Sequence, residues 1–409
     1  MSAGLIGSRI RTRREQLGFS QEAVARHFGF NDRQTLSAIE TGERRVSAEE
    51  LLKAAEILNT PLDYFTDPFL LAGEGRFSWR QDGVAKPKLD EYEEVSGRLI
   101  AAFRSLGTQL GRKPQLLRHT LGLTKSSTYE AAAEAGERFA AEFELGPVPA
   151  LRLAGVMEQR LGILVLMVDG IPGVSGAACR LPELDAVLIN RREVPGRRHY
   201  DLAHELFHIL TWDTMPPEHV EDATGPARGR VEQLADAFAS ALLMPSSVLQ
   251  ADKPWADLDD GALVTRLNQT ADALGVTAIA VKWRLVSSGH LAKARARLID
   301  DGKLRHNGRL AARKSGAKRA AGSEADNGSG GSTSKAVGFL GGALLGISGA
   351  SASADMTPPL FSKPFMELLA QALDEGRISV RRLASLLGLT IDDLEVAFTA
   401  HGVAAEVGI

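Results

Sequence analysis

The chain has 409 residues and a formal net charge of −3, so its length suggests two or three domains, and no global basic field points to nucleic acid or a membrane surface. Any DNA contact must come from a local patch. A single cysteine, Cys179, excludes an internal disulfide and, with no apolar leader at the N-terminus, fits a protein of the reducing cytoplasm.

Residues 1–68 read as a helical unit. Ile6 to Leu17 predicts a helix carrying Arg9, Arg11, Arg13 and Arg14. Ser20 is placed as N-cap of a second helix that Gly29 ends. Asp32 to Glu40 predicts a third, closed by Gly42. Ala48 to Leu58 follows Ser47, and a last turn runs from Pro61 to near Phe65. Two short helices around a Gly-containing turn are the helix-turn-helix pattern. Ser20-Gln21-Glu22, Ser37-Ala38-Ile39-Glu40-Thr41-Gly42 and the run Leu51, Ala54, Ala55, Leu58 resemble the Cro/cI-like (XRE) repressor domain. That resemblance implies a double-stranded DNA operator as partner, with the third helix in the major groove. Arg33, Gln34, Thr35 and Ser37 would then face base edges, where Arg and Gln read guanine and adenine bidentately. Gln21, Arg44 and Arg45 would touch phosphates. The plainer reading is a helical protein-interaction module with a solvated arginine face. Reading two half-sites calls for a homodimer, and nothing in the sequence shows what would dimerise the chain.

Residues 69–300 mix helices with a small sheet. Arg76-Phe77-Ser78-Trp79-Arg80 reads as a packing segment for its two aromatics. Tyr92 to Leu106, Tyr129 to Phe143 and Leu151 to Leu161 predict amphipathic helices. Ile163 to Val168 and Asp185 to Asn190 predict strands. Cys179 lies in a strand-like stretch and reads as a small core residue rather than a nucleophile. Asp185 to Asn190 is a candidate edge for holding an extended peptide, with an ordinary core strand as the alternative.

The loop Val194 to Arg198 leads into the stretch that carries the chemistry, His204-Glu205-Leu206-Phe207-His208, an H-E-x-x-H on an apolar helix. Residues four apart share a helix face, so His204 and His208 aim at one point, and Glu205 reaches a water bound there. Two histidines leave a zinc site one ligand short. Glu232, on a helix running to Pro245, supplies it. Asp236, one turn on, is placed to hydrogen-bond a ligating histidine and orient its ring. The plainer readings are two core histidines and two solvated carboxylates. HELFH followed by E-x-x-x-D-x-F-A-x-x-L-L-M-P resembles the ImmA/IrrE zinc metallopeptidases, and its E-x-x-x-D spacing is similar to that of the gluzincins. The resemblance implies one Zn²⁺ per chain held by His204, His208 and Glu232, Glu205 as general base, and Asp236 behind a ligand. An oxyanion donor would come from Tyr200, His199 or His219, each of which also reads as a packing or surface residue.

Leu263 to Leu274 and Ala278 to Ser287 predict a second helix-turn-helix-like pair, read as structural. Residues 301–357 read as a low-complexity linker. They are basic around residues 311–319 and Gly/Ser-rich around 328–334. The apolar stretch Ala336 to Ala354 holds too many glycines and serines to read as a membrane span. Residues 358–409 predict a small helical segment, Pro364 to Gly376, Ser379 to Leu387 and Ile391 to His401, with a partner-docking or oligomerisation role.

The expected fold is mainly α with a small sheet (α+β): an all-α helix-turn-helix domain, a zincin-like metallopeptidase domain and a short helical C-terminal segment. The expected function is a transcriptional regulator with a zinc endopeptidase domain that cleaves a repressor-type protein, whether itself, a paralogue or a partner. The alternative is a non-proteolytic regulator, or an antitoxin, whose peptidase fold senses or docks.

Overall fold

Side-chain caps fix where the N-terminal helices begin. The computed structural model describes residues 3–112, 118–222, 229–250, 254–306, 309–310 and 357–405. Helix α1 spans Ala3–Gln16, α2 Gln21–Phe28, α3 Arg33–Glu40, α4 Ala48–Ile57 and α5 Leu62–Thr66. Ser20 Oγ accepts from Ala23 N at 3.1 Å and Asp32 Oδ1 from Thr35 N at 3.0 Å. Ser47 and Glu50 form a reciprocal capping box. Gly29 ends α2 at φ 83°, a conformation that only glycine adopts freely. The five helices close over Ile10, Val24, Phe28, Leu36, Ile39, Leu58 and Phe65.

Two of the four arginines of α1, Arg9 and Arg14, are buried, while Arg11 stays exposed beside Glu15. Arg9 is fully buried; it donates to Glu74 Oε1 (2.9 Å) and to the carbonyls of Tyr64 (3.0 Å), Asp67 (2.8 Å) and Leu70. Arg14 is buried against Glu40. An arginine run gives no period that separates solvated from buried guanidinium groups; the partners come from distant segments.

The rest of the chain forms three layers. In order come β1 (Arg76–Gln81), α6 (Lys86–Gln109), α7 (Tyr129–Glu142), α8 (Pro149–Gln159), β2 (Leu164–Val168), β3 (Val174–Arg180), β4 (Asp185–Asn190), α9 (Pro195–Thr211), β5 (Val220–Asp222) and α10 (Arg230–Leu243). Next are α11 (Ser246–Leu249), α12 (Asp260–Leu274), α13 (Ala278–Ser287) and α14 (Lys293–Leu298). Last come α15 (Lys363–Asp374), α16 (Val380–Leu387) and α17 (Ile391–Ala400). The sheet order is β2-β4-β3-β1-β5. β1 runs antiparallel to β3, and β3 to β4, while β2–β4 and β1–β5 are parallel pairs. Strand β4, Asp185–Asn190, is therefore interior and not a peptide-holding edge. Both its backbone sides are already paired, and sequence alternation does not report strand order.

Alternation along the strands divides two cores. Val165, Ala178, Val187 and Ile189 face α9, α10 and the helices around them. Leu164, Leu166, Ala177, Cys179, Ala186 and Leu188 face the other way, toward α6 and the C-terminal helices. Cys179 is a core residue as read, and burial pushes its thiol well up from the usual range. Phe361, Phe365, Met366, Leu368 and Leu369 pack in this second core, and Phe361 N donates to Met167 O at 2.7 Å. The C-terminal segment is thus the third layer of the fold. Its main apolar face covers the sheet, where a docking role for a partner was expected. α12 and α13 join at Gly275 and pack in the first core, the structural role expected of them. The linker and the apolar stretch Ala336 to Ala354 lie outside the described residues, apart from the ends of the linker. Among the described residues no helix is long and apolar enough to cross a membrane.

α7 and α10 approach closely because α7 presents Gly136. A Cβ there would lie 2.4 Å from Phe238 O and 2.9 Å from Leu242 N, and backbone cannot move aside as a side chain can. Gly136→Ala should therefore push α10 away and destabilise the protein by about 1–3 kcal/mol. A urea titration with an unchanged midpoint would refute the contact.

Candidate metal centre and nucleic-acid interface

α9 is an unusual place for charge. Every residue from Asp201 to Thr211 is buried, because the sheet covers one side of the helix and α8 and α10 the other. Arg180 of β3 ties its far end down, donating to Ile209 O (2.8 Å) while paired with Asp185 (2.9 Å). Polar groups in such a layer must find partners or pay for desolvation. His204 and His208, one turn apart, turn their Nε2 atoms to the same point, 3.2 Å from each other. Glu232, at the start of α10, meets both: Oε2 is 3.1 Å from His204 Nε2 and Oε1 is 3.0 Å from His208 Nε2. His204 Nδ1 lies 3.1 Å from Asp236 Oδ1, one turn along α10. The sequence-derived set is thus brought together by two crossing helices.

The electrostatics follow from that convergence. Burial and the nearby Arg80 charge push His204 down, but Glu232 and Asp236 outweigh them and raise it to about 9. Burial lowers His208. Burial alone would raise Glu232, yet the two imidazoles hold it well below the usual carboxylate range. Glu205 is buried beside them, against β3 at Gly176, where a Cβ would sit 3.6 Å from its Cγ. Burial is the main cause that raises its carboxyl to about 8, over the opposing pull of His204 and Arg80.

This donor set fits a divalent metal. With bonds of about 2.0–2.1 Å, the ligands of a tetrahedral zinc stand roughly 3.3 Å apart, close to the 3.0–3.2 Å separations found. Two imidazoles and one carboxylate match a catalytic site that leaves a fourth position open. His208, Glu232, His204 and Glu205 are each at most 2% exposed.

Two residues of the site were not anticipated. Arg80 comes from β1, and its Nε lies 3.4 Å from Asp201 Oδ1, the carboxylate four residues before Glu205. The signal was present: Phe77 and Trp79 alternate onto one face of β1, which puts Arg80 on the α9 face. The oxyanion candidates are otherwise engaged. Tyr200 donates to Asp236 O (3.2 Å), His199 Nδ1 is 2.7 Å from Gly275 O, and His219 Nε2 is 2.6 Å from Glu93 Oε2.

In the N-terminal unit, Arg33 and Gln34 are exposed at the start of α3, and Thr35 and Ser37 are half-buried on it. Arg45 is exposed. Arg44 is exposed too, donates to Glu50 (2.8 Å) and stacks on Phe30. Gln21 donates to Glu40 Oε2 (2.8 Å), and Arg14 grips the same carboxylate through Nε (2.6 Å) and Nη2 (2.9 Å). This network bolts α1, α2 and α3 together and so fixes how α3 is presented. Glu40→Ala would leave the buried Arg14 guanidinium with only Phe19 O and Glu15 as acceptors, and should cost about 1–3 kcal/mol of domain stability. Unchanged melting of this domain in Glu40→Ala would show that the network does not hold it.

Comparison with known proteins agrees with both halves. A family profile described as helix-turn-helix matches residues 10–65, and one described as an IrrE N-terminal-like domain matches residues 159–286. HTH-type transcriptional regulators from Sinorhizobium medicae (strain WSM419) and Rhizobium meliloti (strain 1021) are each 31% identical over 135 residues, which is 32% of this chain and 90% of theirs. A transcriptional regulator in the ATPase CF(0) region of Rhodospirillum rubrum is 40% identical over 60 residues, 15% of this chain and 55% of its own. No solved structure matches the chain significantly. On these likenesses the chain belongs to the XRE-type helix-turn-helix transcriptional regulators and carries an ImmA/IrrE-like domain behind the DNA-binding one.

Proposed function

We propose that this regulator is also a zinc-dependent endopeptidase that cleaves a repressor-type protein, whether itself, a paralogue or a partner, in the cytoplasm. The observation that carries the reading is the convergence of His204, His208 and Glu232 within metal-ligand spacing, with Glu205 beside them. His204, His208 and Glu232 would hold a zinc ion, which would supply a Lewis acid and lower the pKa of a nearby water. A divalent cation at that point would favour the ionised form of the Glu205 carboxylate, which would then take the proton from the attacking water and return it to the leaving amine. Asp236 holds the His204 ring through Nδ1, keeping Nε2 free to ligate.

One zinc per chain is expected in the purified protein, and its loss in both His204→Ala and Glu232→Ala. Glu205→Gln should keep zinc and abolish cleavage of the substrate repressor; a Gln variant that still cleaves removes Glu205 from the mechanism.

For DNA, the reading places Arg33, Gln34, Thr35 and Ser37 at base edges and Gln21, Arg44 and Arg45 at phosphates, on a homodimer spanning two half-sites. Arg33→Ala should cost about 1–3 kcal/mol of operator affinity and relax specificity at one position. Arg45→Ala should weaken binding to all sequences and flatten its salt dependence. Operator titrations in which the two variants behave alike would contradict the assignment.

A second reading has an observation of its own: all four central residues are closed off from solvent. That suits a regulator or antitoxin whose metal site senses rather than cuts. Absence of turnover on any protein substrate, with zinc present, would favour it.

A further inference from the structure

A cleft of about 870 Å³ lies between the DNA-binding unit and the layered body of the chain. One wall is a stripe of α1, Leu5, Ser8, Thr12 and Glu15, at the spacing of one helix face. The opposite wall comes from the start of β1, the end of α6 and the turn between β3 and β4. Trp212 and Asp213, just beyond α9, also line it. Arg180 reaches them from β3, stacked on Trp212 and paired with Asp213 at 3.1 Å. The volume suits a molecule the size of a nucleotide, and Leu5, Pro68 and Pro182 give it apolar surface.

The charges say which kind of molecule. Arg11, Arg76, Arg104, Arg118 and Arg180 line the cleft against Glu15, Glu74, Glu183 and Asp213. The pairings sharpen that balance. Glu15 is taken by Arg11 and Arg14, Glu74 by the buried Arg9, and Asp213 by Arg180. Arg118 and Arg180 share Asp185, which lies outside the lining. Arg76 is exposed, and no carboxylate pairs with it among the described residues. The Arg104 side chain is 10% exposed, yet its nearest carboxylates, Glu183 and Glu74, stand at 3.6 and 3.9 Å, too far for hydrogen bonds. Two guanidinium groups thus face the cleft with donors to spare, and Glu183 is the one carboxylate left opposite them. Planar donor forks of this kind match the oxygens of a phosphate or a carboxylate.

We propose that this cleft binds a nucleotide-sized organic oxyanion, a phosphate monoester or a carboxylate, between the DNA-binding unit and the body, with Arg76 and Arg104 as its charge partners. The site does not depend on the peptidase reading, because none of His204, Glu205, His208 or Glu232 lines it. A molecule seated there touches α1 on one side. On the other it meets Arg180, which donates to Ile209 O near the end of α9.

The test uses the full chain at fixed ionic strength, with AMP and octanoate as probes and adenosine and octanamide as their uncharged counterparts, followed by calorimetry. One molecule per chain is expected for at least one of the two anions, bound about tenfold or more tighter than its uncharged counterpart. Arg76→Glu, at an exposed position, should weaken that binding about tenfold or more with no fall in Tm. Ser8→Trp narrows the cleft from α1 and Ser105→Trp from α6, and each should reduce binding to a similar degree. AMP alone or octanoate alone binding in this way identifies the head group and keeps the site. Saturable binding of neither anion, equal binding of the uncharged counterparts, or binding untouched by Arg76→Glu overturns it. Binding lost in Ser105→Trp but unchanged in Ser8→Trp would put the ligand on the body alone and overturn the bridge to α1.

Discussion

Two imidazoles and a carboxylate buried together between α9 and α10 are the constraint on which the ImmA/IrrE-like domain depends. A charge taken out of water costs several kcal/mol unless it is paired, so these groups must find one another. Glu232 sits against both histidines, and His204 is held from its other side by Asp236. Glu232 and Asp236 favour the charged form of His204 and raise it to about 9 against burial and Arg80. A divalent cation at the same point would take over the role of that charge with little movement, since the donors already stand at the spacing of a tetrahedron's edges.

The surrounding layers keep those donors in register. α9 lies on a sheet whose other face is closed by α6 and the C-terminal helices, so its seat cannot shift toward solvent. α10 carries Glu232 and Asp236 and is drawn close to α7 at Gly136. Arg284 of α13 reaches Met244 O beyond the end of α10, and Glu137 of α7 holds that arginine in turn. Arg180 does the same for the end of α9. Both helices of the His204–His208–Glu232 cluster are fastened at points far from it.

The DNA-binding half uses the same device with different residues. Arg14, Gln21 and Glu40 join three helices through one carboxylate. Arg9 ties α1 to the chain that leads into β1, through Glu74 and three carbonyls. β1 in turn brings Arg80 to the metal centre. Arg9 and Glu74 thus tie α1 to the segment that leads into the strand carrying Arg80.

Local chemistry made much of this legible in the sequence alone. The helix-turn-helix was readable because its caps, Ser20, Asp32 and Ser47, and its turn glycine act within a few residues. The cluster of His204, His208 and Glu232 was readable because His204 and His208 are one turn apart, as are Glu232 and Asp236, and helix geometry settles which side chains share a face. Strand order was not readable: Asp185–Asn190 alternates equally well at an edge or in the interior, and only its pairing with both β2 and β3 decides. Nor was the burial of Arg9 and Arg14, because their partners Glu74 and Glu40 are 65 and 26 residues away and no period links them. The C-terminal helices showed their apolar faces in the sequence, but what those faces cover, the second side of the sheet, is a choice that tertiary packing alone makes.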